Sequence, residues 1–159
     1  MQYTWYVPHD VQGYINLAGK KLFQKRLDEL FTVELPEDIP GAHDIQGRIG
    51  GYWHGNEPCH HVAYLYNYLG QPWKCQRWVR EIAARFYGNE PGSLSGNDDC
   101  GQMSAWYMFN CLGIYPVAPS SNFYNIGSPC VKSLTIMQSN GKQIKMTTAG
   151  WSEKAVYVK

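Results

Sequence analysis

The chain has 159 residues, a length that fits one domain or a piece of a larger one, and enough to bury a sizeable core. Hydrophobic residues make up 44% and charged residues only 17%, which excludes a disordered chain, and the net charge of +1 leaves neither a basic field for nucleic acid nor an acidic tail. Polar residues break every apolar stretch within a turn or two, so no membrane-spanning helix is expected.

In chain order, QYTWYVPHD (residues 2–10) reads as a packed loop leading into a helix, with Trp5, His9 and Asp10 also open to a role as a sugar or base platform. Helical periodicity follows over 17–31, with Phe23, Leu27, Leu30 and Phe31 on one face and Lys20, Lys21, Lys25 and Arg26 away from it. Residues 32–55 read as a loop rich in Gly and broken by Pro36 and Pro40; a loop that long in a compact domain is usually functional. Val62, Leu65, Tyr66 and Leu69 predict a second helix over 59–69, ended by Gly70. A third begins at Pro72, a good first-turn residue, and runs to Tyr87. Its stripe is Cys75, Val79, Ile82, Ala83 and Phe86, and Lys74, Arg77, Arg80 and Arg85 form its expected solvated side. The fourth covers 100–112, is apolar nearly all round, and is therefore expected to be buried.

After Pro119 the period changes. Residues 134–138 and 143–147 alternate around Asn140-Gly141, the signature of a hairpin, and 155–158 reads as a further strand. The fold class is mainly α with a small C-terminal β-sheet, a helical barrel or bundle over 1–119 followed by a strand segment over 120–159.

Six Trp and twelve Tyr are a heavy aromatic load, suited to stacking on sugars or bases and equally to packing a core. Cys59, Cys75, Cys100, Cys111 and Cys130 form no CxxC pair, so the spacing gives no disulfide framework and no zinc motif. No signal peptide is legible at the start, which is already dense in structured character. No phosphate-binding Gly loop, nucleophile elbow or HExxH is present.

The stretch GNDDCGQ (96–102) offers two readings. Asp99 fits a helix N-cap with Gln102 closing a capping box, and Asp98 beside it is then surplus to capping. Alternatively the pair supplies a general base, since carboxylates at a helix N-terminus tend to stay ionised. In WHGNEPCHH (53–61), His54, Asn56, Glu57, His60 and His61 crowd one helix start. A metal site is one reading: zinc would take the histidines, calcium the Asn and Glu oxygens. The other reading is Asn56 as N-cap, Glu57 favouring the helix dipole and His61 at the surface.

Taken together, QYTWYVPHDVQG, GNEPCHHVAYLYNY, SGNDDCGQMSAWYMFNCLGIYPVAP and SNFYNIGSPCVKSLTI resemble glycoside hydrolase family 92, the calcium-dependent exo-α-mannosidases. The strings keep family order over nearly the whole chain. The resemblance implies part of an (α/α)6 barrel that releases terminal mannose from α-mannosides with inversion, with calcium bridging protein oxygens and sugar hydroxyls. Inversion needs an acid and a base roughly 6.5–9.5 Å apart with water between them.

Carried over by position, Asp99 is the expected general base, with Asp98 a less favoured catalytic candidate and Asn97 an amide where some members carry a carboxylate. Asn56 and Glu57 are expected near the metal and the aglycone side; Asn56 stands where members preferring α-1,2 links often carry His. His60 or His61 is expected to line the sugar site or orient the metal shell, and Trp5 to contact substrate. Ala18 and Ser120 stand where the family favours Gly. The family's general acid is a Glu a few residues ahead of QYTW, so this chain is expected to hold the base without the acid, and to be inactive alone. The implied partners are α-mannoside glycans, with no nucleic acid, no membrane, and self-association through barrel faces left uncovered. The family points to a periplasmic or secreted location. Two other classes remain open from the residues alone: a non-catalytic sugar-binding module using its aromatic faces, and a zinc protein built on His54, His60 and His61.

Overall fold

The computed structural model describes residues 2–36 and 46–158. Helix α1 spans Val11–Ala18 and starts where Asp10 Oδ1 accepts a hydrogen bond from the Gly13 amide at 2.8 Å. Gly19, at φ 81°, breaks the backbone before α2, Lys20–Thr32. The single helix expected over 17–31 is thus two: Leu17 belongs to α1 and is exposed, whereas Phe23, Leu27, Leu30 and Phe31 are buried as their spacing predicts.

Part of the expected loop over 32–55 is a short hairpin, β1 (Arg48–Ile49) against β2 (Tyr52–Trp53); Pro40 lies outside the described residues. The turn is Gly50-Gly51, a dipeptide suited to tight hairpins. Gly50 is at φ 59°, and a Cβ there would sit 2.7 Å from the Leu30 carbonyl. Gly51 N–H donates to that same carbonyl at 2.7 Å, which fastens the hairpin to the end of α2.

The helix expected over 59–69 begins as two 3-10 turns, Glu57–Cys59 and Val62–Tyr64, and only then becomes α3, Leu65–Tyr68. Its predicted face is buried, and Gly70 ends it at φ 74°. Helix α4 spans Pro72–Phe86 and is the spine of the core: Phe31 stacks on Trp78 at 4.7 Å and on Tyr52 at 5.0 Å. Two of its cations are not on a solvated side. Lys74 donates to both Asp28 oxygens at 2.7 and 2.8 Å, and the Tyr66 hydroxyl joins Asp28 at 2.9 Å. Arg80 donates to the carbonyls of Pro129 and Glu153 and so ties down the C-terminal region.

Helix α5 spans Gln102–Leu112 and ends at Gly113, φ 75°. It is not buried all round: Met103, Trp106 and Asn110 face inward, but Met108 is 67% exposed and Tyr107 is exposed too. Short antiparallel pairs follow, β3 (Ile114–Tyr115) with β4 (Asn125–Ile126), then β5 (Ser133–Met137) with β6 (Gln143–Thr147) in the register Leu134↔Met146. The β5–β6 turn puts Gly141 at φ 79°, with Gly141 N–H donating to Gln138 and Gln138 N–H to Lys142. That is a three-residue loop with a left-handed glycine rather than a two-residue turn. Residues 155–158 form no strand; side chains hold them instead, Ser128 Oγ donating to the Val156 carbonyl and Gln76 Oε1 accepting from Val158 N–H. The fold is mainly helical with small antiparallel sheets.

Candidate active site

The carboxylate loop and the histidine segment meet because glycine lets them. His54 N–H donates to the Gly47 carbonyl at 2.8 Å and Gly55 N–H to the Gln46 carbonyl at 2.9 Å. A Cβ on Gly55 would lie 2.6 Å from the Ser95 carbonyl, and one on Gly47 would lie 2.9 Å from the Ser95 Cβ. The backbone of the loop ahead of α5 therefore presses directly on the hairpin that leads into Asn56 and Glu57.

That loop divides its acidic pair differently from the sequence expectation. Asp99 is not the N-cap; Gly101 is, at φ 92°, and it has no side chain to offer. Asp98 supplies the missing oxygen from three residues upstream. Its Oδ1 accepts from the Ser104 amide and the Ser104 hydroxyl, both at 2.9 Å. Gln102 N–H and Met103 N–H donate to the carbonyls of Asp99 and Asp98, so the first three amides of α5 are all satisfied. The price is left-handed backbone at Asp99, φ 48°, and Cys100, φ 59°, a conformation that costs about 1 kcal/mol or more for a non-glycine residue. Gln102 closes no capping box. Its amide reaches His60 Nδ1 at 3.1 Å and joins α5 to the histidine segment.

With capping assigned to Asp98, the Asp99 side chain is exposed and meets Glu57. A hydrogen bond with the Glu57 carboxyl, above all, raises the Asp99 pKa above the ordinary carboxylate range; partial desolvation and the neighbouring charges of Glu57 and Asp98 push the same way. Asn56 precedes Glu57 in extended backbone, φ −110°, and Asn97 is exposed beside the acidic pair.

The histidines do the opposite. His54 is fully buried, with Nδ1 2.8 Å from the Tyr52 hydroxyl and Nε2 2.6 Å from the Tyr87 hydroxyl. Tyr87 donates to the Met103 carbonyl at 2.9 Å, so its oxygen accepts from His54 Nε2–H and Nδ1 accepts from Tyr52. The relay fixes a neutral imidazole, and burial, then the nearby His60, lower its pKa well below the usual value. His60 Nε2–H donates to the His54 carbonyl at 2.9 Å, and burial foremost lowers its pKa to about 4. His61 Nε2–H donates to the Trp5 carbonyl at 2.8 Å, and burial lowers its pKa too. The zinc reading fails on this geometry: these nitrogens already serve neighbours, and no group of three or more His, Cys, Asp or Glu among the described residues could hold a metal ion. His60 and His61 are braces rather than sugar-lining groups, and His61 is not at the surface.

Trp5 is corrected similarly. Its ring is buried, edge-on to Phe23 at 5.2 Å and tilted to Tyr14 at 6.4 Å, so it offers no platform to a sugar. Tyr52, Tyr87, Ser95 and Ser104 carry the site's architecture and were not singled out by sequence reasoning. Only Tyr52 leaves a signal, two residues before His54 and therefore on the same strand face.

The chain matches the glycosyl hydrolase family 92 catalytic domain over residues 1–159. It is 78% identical to a family 92 α-mannosidase of Bacteroides thetaiotaomicron solved with mannoimidazole, with a TM-score of 0.95 over 99% of this chain and 21% of that one. A family 92 inverting mannosidase of Bacteroides thetaiotaomicron VPI-5482 is 34% identical, with a TM-score of 0.79 over 99% of this chain and 22% of that one. An uncharacterized secreted glycosidase of Arthroderma benhamiae is 31% identical over 134 residues, 83% of this chain and 15% of its own length. The chain belongs to glycosyl hydrolase family 92. It spans about a fifth of the length of the solved relatives.

Proposed function

We propose that this chain carries the water-activating side of an inverting exo-α-mannosidase site, with Asp99 as general base. The observation that carries the reading is the division of labour between adjacent carboxylates: Asp98 caps α5, which leaves the Asp99 carboxyl exposed against Glu57. A carboxylate whose proton affinity is raised by a second carboxyl is a stronger base than an isolated one. In the ionised state Asp99 Oδ would accept a proton from water as that water attacks the anomeric carbon. Glu57 adjoins Asp99, and Asn56, next to Glu57 in the chain, and Asn97, next to Asp98, offer further groups able to bind sugar hydroxyls. The general acid, by the family resemblance, is a Glu ahead of the QYTW string. Residues 1–119 then contribute to the barrel, and 120–159 make up the C-terminal segment that carries the β5–β6 hairpin. The substrate class is terminal α-mannosides, and export is the location consistent with the secreted relative.

The resemblance implies calcium. The donors present fit it in kind: Asn56 and Glu57 offer oxygens, the hard ligands calcium takes, and the adjoining Asp99 leaves two carboxyl groups close enough to share a proton where a divalent cation would relieve their repulsion. Calcium, when bound, would neutralise carboxylate charge and polarise sugar hydroxyls. Asn56 and Glu57 would hold it, with further oxygens from water or sugar.

The test is Asp99→Asn against Asp98→Asn in the native enzyme, assayed on an α-mannoside. Asp99→Asn is expected to lower kcat by about 10²–10⁴ with KM little changed. Asp98→Asn keeps an acceptor oxygen for Ser104 and should lose far less. Equal losses in both would overturn the assignment.

A further inference from the structure

Cys111 closes the last turn of α5, and Cys130 lies in the segment that returns past it after β4. Nineteen positions separate them in sequence, and no motif links them. In space they are neighbours. Cys130 N–H donates to the Cys111 carbonyl at 3.1 Å. That direct backbone hydrogen bond keeps the two residues' backbones in contact, as the roughly 4.4–6.8 Å Cα separation of a disulfide requires. Both side chains are half-buried, unlike Cys59 and Cys75, which are buried.

The surroundings are polar on the Cys130 side. Asn110 Nδ2 lies 3.9 Å from Cys130 Sγ, and Arg80 Nη1 donates to the adjacent Pro129 carbonyl at 3.1 Å. The neighbouring Cys111 thiol, then the Arg80 guanidinium, pull the Cys130 thiol below its usual range, while Cys111 is pushed up. Cys130 Sγ, which donates to the Ser128 carbonyl at 3.8 Å, lies on the polar side and is the readier of the two to ionise, with Cys111 as its resolving partner.

We infer that Cys111 and Cys130 form a redox-responsive pair, oxidised to an intramolecular disulfide by exchange with a low-molecular-weight disulfide such as oxidised glutathione. The Cys130 thiolate attacks one glutathione sulfur, forming a Cys130–glutathione mixed disulfide and expelling a glutathione thiolate. Cys111 loses its proton to solvent and attacks Cys130 Sγ, forming the Cys111–Cys130 bond and expelling the second glutathione. Two protein thiols are oxidised and one glutathione disulfide is reduced to two thiols, so electrons and protons balance.

The cross-link has a mechanical meaning. Hairpin β5–β6 is mostly exposed, and the residues after it are held by Arg80, Ser128 and Gln76 rather than by a strand ladder. Fastening position 130 to α5 anchors the start of that hairpin to the helix whose other end carries Asp99. Disulfides of this kind persist in oxidising compartments.

The experiment incubates the folded native protein with oxidised glutathione, traps remaining thiols with N-ethylmaleimide, and maps the peptides by mass spectrometry. The expected result is a linked peptide pair containing Cys111 and Cys130, 2 Da lighter than the sum of the reduced peptides. The Tm should rise by several degrees, and reductant should reverse both changes. In Cys111→Ser the glutathione adduct should stay on Cys130; in Cys130→Ser, Cys111 should remain alkylatable. Glutathione found only on exposed Cys100, with Cys111 and Cys130 both alkylated, would overturn the inference. So would a Cys130–glutathione adduct that persists in the unmutated protein.

Discussion

Glu57 lies between His54 and His60 in sequence, yet the three side chains go to opposite environments. The imidazoles turn inward, where every hydrogen bond holds them neutral against tyrosine hydroxyls, an amide or backbone carbonyls. The carboxyl turns outward to Asp99. A buried charge without a partner is costly, so the groups that can shed charge near neutral pH are the ones the core accepts. The carboxyls stay at the rim, where solvent reaches them. Residue types that read as one ligand cluster are therefore two systems: a dry brace and a wet reaction surface.

The sharpest way to break this division is activity. The 159-residue chain alone is expected to release no measurable 4-nitrophenol from 4-nitrophenyl α-mannoside with calcium present, because it spans about a fifth of the length of the solved relatives and would hold only part of the proposed site. Robust turnover would place the acid within these residues and undo the assignment.

Next in size is acid stability of the brace. His60 has a folded pKa of about 4 and an unfolded one near 6.5, so the unfolded state binds more protons between those values. Its contribution, about 3 kcal/mol, is complete above pH 6.5 and lost as pH falls through about 4. His54 and His61 shift in the same direction. Urea midpoints measured from pH 7 to pH 4 should fall steadily, and His60→Gln should flatten part of that fall. A flat profile in the unmutated protein would mean the histidines are solvated.

Gly55→Ala tests the contact between brace and rim. Its Cβ would collide with the Ser95 carbonyl, for a loss of about 1–3 kcal/mol and a displaced carboxylate loop. Thermal melts read the first effect and kcat of the native enzyme the second. Unchanged values in both would mean the two segments do not press together. The smallest expected effect is Ser104→Ala, which removes one of the two donors to Asp98 and should lower stability by about 1 kcal/mol while Asp99 keeps its role. A collapse of activity instead would show that the cap directs the base rather than merely freeing it.

The buried faces of α2, α3 and α4 were legible because apolar periodicity records which side of a helix meets the core. The β5–β6 hairpin was legible because its turn residues are local. Arg80 and Lys74 were misplaced as solvated, since periodicity does not say when a neighbouring segment caps a charged face. The break at Gly19 was missed because a single Gly inside a helical pattern is tolerated often enough that it does not mark a boundary by itself. Near Asp98, short-range pattern favoured Asp99 as the cap; the actual cap spans six residues to Ser104 through left-handed backbone, a geometry no local spacing rule encodes.

By itself, the sequence determined the helical class, the buried stripes, the family and the candidate side chains of the proposed site, because these depend on residue type and local order. Tertiary structure alone decided which of those side chains are free to react. That choice turns on burial and on which carbonyls stand nearby: Asp98 was captured by the amide and hydroxyl of Ser104, His54 by two tyrosines, and Trp5 by the core. Asp99 was left facing Glu57, a contact between segments some forty residues apart that only folding brings within reach.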